Sequence, residues 1–393
     1  MKRLTIFTLF LIVNLGLTFL GANLVPAAEK IKIGCLVSFT GAFAMWDIPI
    51  GKGIELMVDK INREGGIKVG IKTYQIDLIN ADYKTNLEGA VSQTNRLIFN
   101  EKVSFIIGPG MSGAALAAQP ITEKNKVIMM SYCFTPKILG EDKPYTFRLY
   151  ASGSEVAKAI LIYLHTHLPD LKTIGLVGLN DETGWGTSKD AKASAEEIGM
   201  KVVFEDFVQR GTTDFFPVLT RMLLNNPHVL IPTTIPPGDT ALFIQQARQL
   251  GYKGLIASPS RYDPEMMVTK AGEAAEGFIF QSQDFTGPTA TPMMREFYKN
   301  YMQKYKEAFN PMANMVYPTP WILKMAIEKA GTLDTTAVAK AMENVEGEYP
   351  WGYFTMGGLK TYGAKHQIAE PIWLGTIRQG KPFGLGYVAP PVP

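Results

Sequence analysis

Hydrophobic and polar positions alternate along the chain so as to predict short buried strands followed by longer amphipathic helices. Residues 31–37 form a mostly apolar run that is typical of a buried strand. Apolar side chains then recur with helical spacing over residues 50–64, and Gly65-Gly66 predicts the end of that helix. The alternation continues to residue 131. It therefore predicts a parallel sheet covered by helices on both faces.

A second cycle of the same kind begins after Tyr150. Strand and helix spacings alternate again up to a strand at residues 254–257. The tail from Tyr349 is rich in Gly, Pro and aromatic residues, which indicates irregular structure or short antiparallel strands. The pattern therefore predicts two doubly wound α/β lobes, each with its ligand edge at the carboxyl ends of the strands.

The first 28 residues predict a signal peptide. Lys2 and Arg3 precede a mostly apolar run, and Val25-Pro-Ala-Ala28 offers the small residues that a signal peptidase requires. The alternative is an uncleaved membrane anchor, for which the run is short. No later segment is long and apolar enough to span a bilayer. We therefore expect the mature chain, residues 29–393, to be soluble and to lie outside the cytoplasm.

Composition removes several classes of function. The 39 Lys and Arg residues nearly balance the 36 Asp and Glu residues, which excludes the basic surface that binding to nucleic acid requires. Cys35 and Cys133 are too few for a disulfide framework, and only four His residues are present. We expect two buried thiols, no metal and no cofactor. No nucleophile–base pair stands out, so we expect no catalytic residues and no enzyme activity.

The most distinctive short motif is Gly108-Pro-Gly-Met-Ser-Gly113, which follows a predicted strand and opens a helix. It formally matches the GxGxxG motif of dinucleotide-binding proteins. Residues 129–133, where the next strand ends, carry no carboxylate for a ribose, which argues against an extracytoplasmic dehydrogenase. A Gly-rich turn at a helix start also exposes N–H groups to an anion, and Ser112 adds a hydroxyl donor. The alternative is a tight turn in which Ser112 caps the helix.

Two further groups of candidates belong to the first lobe. Cys133, Phe134 and Thr135 follow the strand beside the Gly-rich turn. Thr135 either donates to the same anion as Ser112 or caps a turn before a proline. Trp46 follows the first strand, where it forms either an apolar wall of a cleft or a cap over the core.

The second lobe offers candidates at the matching edge. Thr183 lies in a polar, Gly-containing segment after one strand, and Ser260 and Arg261 follow another. Arg261 is the most suggestive cation for an acidic ligand. Its alternative role is that of a solvated loop residue.

Together these motifs resemble the substrate-binding proteins of branched-chain amino acid type (Leu/Ile/Val-binding-like) ABC transporters. No single motif decides, but their order and spacing cover nearly the whole mature chain. The markers are Ile33-Gly34, Thr40-Gly41, residues 61–67, Ile107-Gly-Pro109, Ser112, Tyr145, Phe147-Arg148, Gly184-Trp-Gly186, Thr213-Asp-Phe215, Gln246-Ala-Arg248, Gly251 and Ala275-Glu-Gly277.

The resemblance implies a type I periplasmic binding fold, with two Rossmann-like lobes that close on a ligand by a hinge motion. Three crossovers are expected near Arg148, residues 281–283 and His366. The expected lobes are residues 29–148 plus 283–365 and residues 149–282 plus 366–393. The implied function is that of a monomeric receptor that delivers a small molecule to a membrane permease. A sensory module of the same fold, acting on a receptor kinase or chemoreceptor, is the alternative.

The resemblance also assigns roles to single positions. Ser112 corresponds to the hydroxyl that binds a ligand carboxylate, with Phe134 and Thr135 as its partners and Trp46 as the aromatic wall. Thr183 stands where a Tyr is usual, and Ser260 stands where a Glu would bind the ligand's ammonium group. A buried ammonium without a carboxylate is costly. We therefore expect a small carboxylate-bearing ligand, either an amino acid or, preferred, an aliphatic or aromatic acid or an amide that lacks the α-amine.

Overall fold

The computed structural model of the protein describes residues 29–283, 285–287 and 289–389. The predicted signal peptide lies outside these residues. In chain order the described strands are β1 (Glu29–Val37), β2 (Ile67–Val69), β3 (Lys72–Asp82), β4 (Phe105–Ile107), β5 (Ile128–Ser131), β6 (Thr146–Arg148), β7 (Thr173–Leu179), β8 (Lys201–Val208), β9 (Val229–Thr233), β10 (Leu255–Arg261), β11 (Ile279–Gln281), β12 (Gly347–Tyr349), β13 (Gly352–Gly357), β14 (Gln367–Ala369), β15 (Ile372–Arg378) and β16 (Lys381–Val388).

The α-helices alternate with these strands over most of the chain. In order they are α1 (Ala44–Arg63), α2 (Leu87–Asn95), α3 (Ser112–Lys124), α4 (Gly153–His167), α5 (Glu182–Glu197), α6 (Phe216–Leu223), α7 (Pro237–Gln249), α8 (Pro264–Ala271), α9 (Pro292–Tyr305), α10 (Thr319–Ala330), α11 (Thr335–Met342) and α12 (Leu359–Tyr362).

The strands form two mostly parallel sheets. The first has the order β12-β13-β14-β6-β5-β4-β1-β3-β2, and the second has the order β16-β15-β11-β10-β9-β7-β8. Within the described residues, antiparallel pairings occur only toward the edges of each sheet: β2 with β3, β12 with β13 and β13 with β14 in the first, and β11 with β15 and β15 with β16 in the second. This arrangement confirms the predicted pair of doubly wound α/β lobes.

The chain passes between the sheets three times: after β6, after β11 and after β14. The first two crossings follow Arg148 and Gln281, where crossovers were expected. β14 is still hydrogen-bonded to β6 in the first sheet. The third crossing therefore falls after Ala369, whereas the expected boundary placed residues from 366 onward in the second lobe.

Each sheet buries apolar side chains on both of its faces. Along β1, Ile33 and Val37 enter a large cluster that also includes residues of α1 and α10, whereas Leu36 enters a separate cluster with residues of α2 and α3. In the second lobe, α4 and α5 cover one face and α6, α7 and α8 contribute to the other. These layers hold the carboxyl ends of the parallel strands of both sheets in fixed positions.

Three segments that the sequence predicted as loops are regular structure. Asp181 caps α5, because its Oδ1 accepts the backbone N–H groups of Thr183 and Gly184 at 3.0 Å each. The helix therefore begins at Glu182, inside the polar, Gly-containing segment that carries Thr183. β10 extends beyond residue 257 to include Arg261, and Trp46 lies in the first turn of α1.

Cys35 and Cys133 are free and fully buried, as predicted. Burial raises the pKa of both thiols. In the described part of the chain, no helix combines the length and the apolar character that a membrane crossing requires.

Candidate ligand-binding site

A cavity of about 560 Å³, including the part open to solvent, lies between the two lobes. Most of its walls come from residues at or just after the carboxyl ends of parallel strands, as expected for a doubly wound fold. The first lobe contributes Phe43, Trp46, Ile50, Gly110, Tyr132 and Phe134. The second contributes Thr183, Arg210, Thr234, Ser260 and Arg261, and Tyr150 and Met315 complete the lining.

The wall formed by the first lobe is largely aromatic. The ring centroids of Trp46 and Phe43 lie 6.4 Å apart, with 28° between the ring planes. Phe134 stacks on Tyr150 at 6.4 Å and 18°. Trp46 also packs against the large core cluster of its lobe, so it both borders the cavity and covers the core. Such a wall suits an apolar or aromatic ligand body.

A buried carboxylate lies behind this wall. The Tyr132 hydroxyl, whose ring borders the cavity, donates to Asp47 Oδ1 at 2.8 Å. Asp47 Oδ2 accepts the backbone N–H of Ser38 at 2.7 Å. Burial raises the pKa of Asp47 to about 7, although both hydrogen bonds favour the charged form. Position 110 requires a glycine, because an added Cβ would lie 2.1 Å from the Tyr132 ring.

Three predicted site residues, Ser112, Cys133 and Thr135, are fully buried and do not line the cavity. The Ser112 hydroxyl accepts the backbone N–H of Thr135 at 3.2 Å. Ser112 does not cap α3, because the capping position is Met111 and no side-chain cap is formed there. The reading of Ser112 as a helix cap is therefore wrong. Its role as a ligand of a carboxylate stays a prediction.

Thr135 does cap the short 3₁₀ turn that begins at Pro136, since its hydroxyl accepts the N–H of Lys137 at 3.4 Å. The same hydroxyl donates to Glu182 Oε1 in the second lobe at 3.1 Å. Lys137 pairs with Glu182 at 3.0 Å. Glu182 therefore joins the two lobes beside the cavity.

Arg261 is the most unusual side chain of the second-lobe wall. It is only 3% exposed, so its reading as a solvated loop residue is wrong. None of its three guanidinium nitrogens has a hydrogen-bond partner among the described residues. Its guanidinium carbon lies 5.6 Å from the ring centroid of Tyr150 and 5.8 Å from that of Trp351. Buried charges are normally paired, so the Arg261 guanidinium is placed to bind an anion.

Arg210 is the second cation of the cavity and differs from Arg261 in having a partner. Its Nη2 lies 2.5 Å from Asp181 Oδ2, and its guanidinium lies 5.9 Å from the ring centroid of Phe43 in the other lobe. The remaining second-lobe lining residues, Thr183, Thr234 and Ser260, carry hydroxyl groups. Among the described residues that line the cavity, none carries a carboxylate.

Of the predicted site residues, the structure places Trp46, Phe134, Thr183, Ser260 and Arg261 around one cavity. Sequence reasoning missed Phe43, Tyr132, Tyr150, Arg210, Thr234, Ile50 and Met315. Arg210 and Thr234 follow β8 and β9, and Tyr150 follows the first crossover, so the strand-end rule that found Arg261 also applies to them. Ile50 and Met315 carry no such signal, because each is an apolar residue in or near a helix. Within the described residues, no group of three His, Cys, Asp or Glu side chains is placed to hold a metal.

The two lobes and the cavity between them define a protein that binds a small molecule in a cleft. The chain belongs to the family described as Periplasmic binding protein, whose sequence profile matches residues 30–382. This confirms the resemblance to substrate-binding proteins of the branched-chain amino acid type, and the chain is a solute-binding protein of the ABC transporter type.

Individual relatives are distant but cover most of the chain. The Leu/Ile/Val-binding protein homolog 7 of Brucella abortus (strain 2308) is 26% identical over 360 residues, which is 87% of this chain and 88% of that protein. The substrate-binding protein LivJ of Streptococcus pneumoniae, solved with isoleucine, is 24% identical with a TM-score of 0.77, covering 92% of this chain and 100% of that one. An R. palustris solute-binding protein, solved with benzoate, is 19% identical to this chain with a TM-score of 0.75. The match covers 92% of this chain and 97% of that one.

Proposed function

We propose that the protein is a periplasmic receptor that closes its lobes on a small organic acid and delivers it to the permease of an ABC importer. The preferred ligand has an aliphatic or aromatic body and lacks an α-amine. The family resemblance supports a receptor that acts as a monomer. An N-terminal signal peptide, in the segment outside the described residues, accounts for export.

The absence of a carboxylate from the described lining carries the proposal. An ammonium group buried in this cavity would lose its water without gaining an anionic partner. Ser260 occupies the position at which the resemblance predicts a Glu, and a hydroxyl group does not compensate a positive charge. The site is therefore poorly matched to a free amino acid and better matched to the same molecule without its amine.

The aromatic wall supports the proposal that the ligand has an aliphatic or aromatic body. Phe43, Trp46 and Phe134 present ring surface, and Ile50 adds an aliphatic side chain. Burial of an apolar body against these residues supplies binding energy without a hydrogen-bonding requirement. The benzoate complex of the R. palustris protein is consistent with this, because it places an aromatic acid in a protein of the same fold.

A thermal-shift screen of residues 29–393 tests the proposal. The panel pairs leucine with isocaproate and phenylalanine with hydrocinnamate, because the members of each pair differ only in the α-amine. A ligand at a hundred times its dissociation constant adds about 2.7 kcal/mol to the stability of the folded state, enough to raise the melting temperature measurably. We expect the acids to raise it and the amino acids to leave it unchanged. A shift with leucine that exceeds the shift with isocaproate would contradict the proposal.

A further inference from the structure

We infer that Arg261 is the anchor for the ligand's anionic group, so that the carboxylate faces the second lobe and the apolar body faces the aromatic wall of the first. This inference rests on the proposed function and narrows it to ligands that carry a negative charge. An amide, which the sequence alone leaves open, is excluded.

The first step of the argument is the isolation of the Arg261 charge. The side chain is buried and borders the cavity, yet its Nε, Nη1 and Nη2 atoms have no hydrogen-bond partner among the described residues. The rings of Tyr150 and Trp351 attract the charge, but ring faces do not replace hydrogen-bond acceptors for five N–H groups. A carboxylate fits the planar fork of a guanidinium with two parallel hydrogen bonds.

The second step is that the neighbouring acceptors bond to other groups and none of them forms a hydrogen bond with Arg261. The Tyr150 hydroxyl donates to Gln281 Oε1 at 2.7 Å. Glu370 is a buried carboxylate of the same region, and its two oxygens accept the N–H of Ala151 and the indole N–H of Trp351. Neither oxygen is a hydrogen-bond partner of the Arg261 nitrogens. An anion in the cavity would therefore supply the acceptors that Arg261 lacks among the described residues.

The third step concerns the orientation of the ligand. The hydroxyl of Ser112, to which the family resemblance assigns the carboxylate, lies behind the cavity lining and is bonded to the Thr135 N–H. Phe43, Trp46 and Phe134 instead give the first lobe an apolar surface. A ligand with its carboxylate at Arg261 and its apolar body on these rings pairs the charge of the second-lobe wall and covers the apolar surface of the first-lobe wall. It would neutralise the Arg261 charge when the lobes enclose it.

The test compares an acid with its own amide on two proteins. Hydrocinnamate and hydrocinnamamide have the same shape, and calorimetry gives the ratio of their affinities for the wild type and for Arg261→Met. We expect the wild type to prefer the acid by at least about a hundredfold and the variant to lose that preference. If Arg261 had a purely structural role, the variant would bind both ligands more weakly by the same factor. The ratio of the acid and amide affinities would then stay unchanged, and that result would overturn the inference.

Three further variants sharpen the result. Arg261→Lys keeps the charge without the planar fork, so it should retain a preference for the acid that is smaller than that of the wild type, and it serves if the Met variant does not fold. Arg221→Met is the matched control, because Arg221 also belongs to the second lobe but pairs with Asp206 and does not border the cavity. We expect it to leave the ratio unchanged. Arg210→Gln tests the other cation of the cavity, and a full loss of the preference in that variant would move the anchor to Arg210 and contradict the inference.

The experiment separates this inference from the proposed function. If the wild type binds neither acid of the thermal-shift panel, the proposed function itself fails. If it binds the acids but Arg261→Met keeps the ratio between acid and amide, the proposed function stands and Arg261 is not the anchor.

Discussion

Single side chains divide the binding task between the two lobes. The first lobe presents ring surface, and the second presents a buried charge without a hydrogen-bond partner among the described residues. A ligand of the proposed kind would therefore combine apolar burial with one charge-assisted contact. Trp46 offers the largest apolar surface of the first-lobe wall. Its position in the first turn of α1 sets it against both the cavity and the core.

Replacement of Trp46 by Ala tests the aromatic wall. We expect hydrocinnamate to bind at least about tenfold more weakly, which corresponds to about 1.4 kcal/mol, because the ligand loses ring contact. Met45→Ala is the control, since this neighbour is 52% exposed and does not line the cavity. Titration calorimetry measures both variants, and equal affinities of the two would show that Trp46 serves the core alone.

Asp47 makes the stability of the first lobe depend on pH. Its folded-state pKa, about 7, lies above the ordinary value of 3.8. The folded state therefore holds a proton that the unfolded state releases. The stabilisation is complete below about pH 4 and is lost as the pH rises through about 7.

We expect Asp47→Asn to remove this dependence. Between pH 4 and pH 8 the wild type should lose more than about 1 kcal/mol of unfolding free energy relative to the variant. Urea denaturation at several pH values measures the difference. Asp59→Asn, on the exposed side of the same helix, is the control for the loss of a carboxylate. Parallel pH profiles of wild type and Asp47→Asn would show that Asp47 is charged in the folded protein throughout this range.

The sequence located part of the site for a physical reason. Residues at the carboxyl ends of parallel strands converge whatever their identity, and this rule found Trp46, Phe134 and Arg261. It does not tell which of two neighbouring side chains turns toward the cleft. Thr135 and Ser112 have the right position along the chain, but their hydrogen bond to each other lies behind the lining. That difference depends on side-chain direction, which spacing does not encode.

Helix α5 connects the binding site to the contact between the lobes. Its first residue, Glu182, reaches Thr135 and Lys137 of the first lobe at 3.1 and 3.0 Å. Further along, Gly186 allows the lobes to approach closely, because an added Cβ would lie 3.1 Å from Pro136 Cδ. The start of α5 therefore contributes both to the lining, through Thr183, and to the closed arrangement of the lobes.

Loss of the Glu182 contacts should weaken ligand retention. We expect Glu182→Gln to raise the dissociation rate of the bound acid by about two- to fivefold, because an exposed ion pair contributes at most about 1 kcal/mol. Glu197→Gln is the matched control on the same helix, since Glu197 pairs with Lys158 inside the second lobe. Stopped-flow tryptophan fluorescence measures the rate. An equal effect of both variants would argue against a specific contact between the lobes.

The elements themselves were largely predictable, and the exceptions have identifiable causes. The apolar spacing over residues 50–64 located most of α1, whereas the polar, Gly-containing segment near Gly184 showed no helical spacing where the Asp181 cap begins α5. β6 and β11 span three residues each and were missed, because so short a run shows no periodicity. Such strands form only when neighbouring strands offer hydrogen bonds, which is information from the tertiary structure.

The two lobes together explain how a ligand would select the closed arrangement. Arg261 extends from β10 of the second lobe toward Tyr150 and Trp351, which belong to the core cluster of the first lobe. A guanidinium enclosed there without an anion is unfavourable, and an enclosed carboxylate removes that penalty. On the proposed function, closure would then be coupled to the charge of the ligand.

One comparison tests this account most directly: calorimetric titration of residues 29–393 with isocaproate and, in the same buffer, with leucine. The two molecules share their carboxylate and their branched body and differ only in the α-amine. Because the lining offers a cation and no carboxylate among the described residues, we predict that isocaproate binds at least about a hundredfold more tightly, a difference of about 2.7 kcal/mol. Tighter binding of leucine would contradict the account.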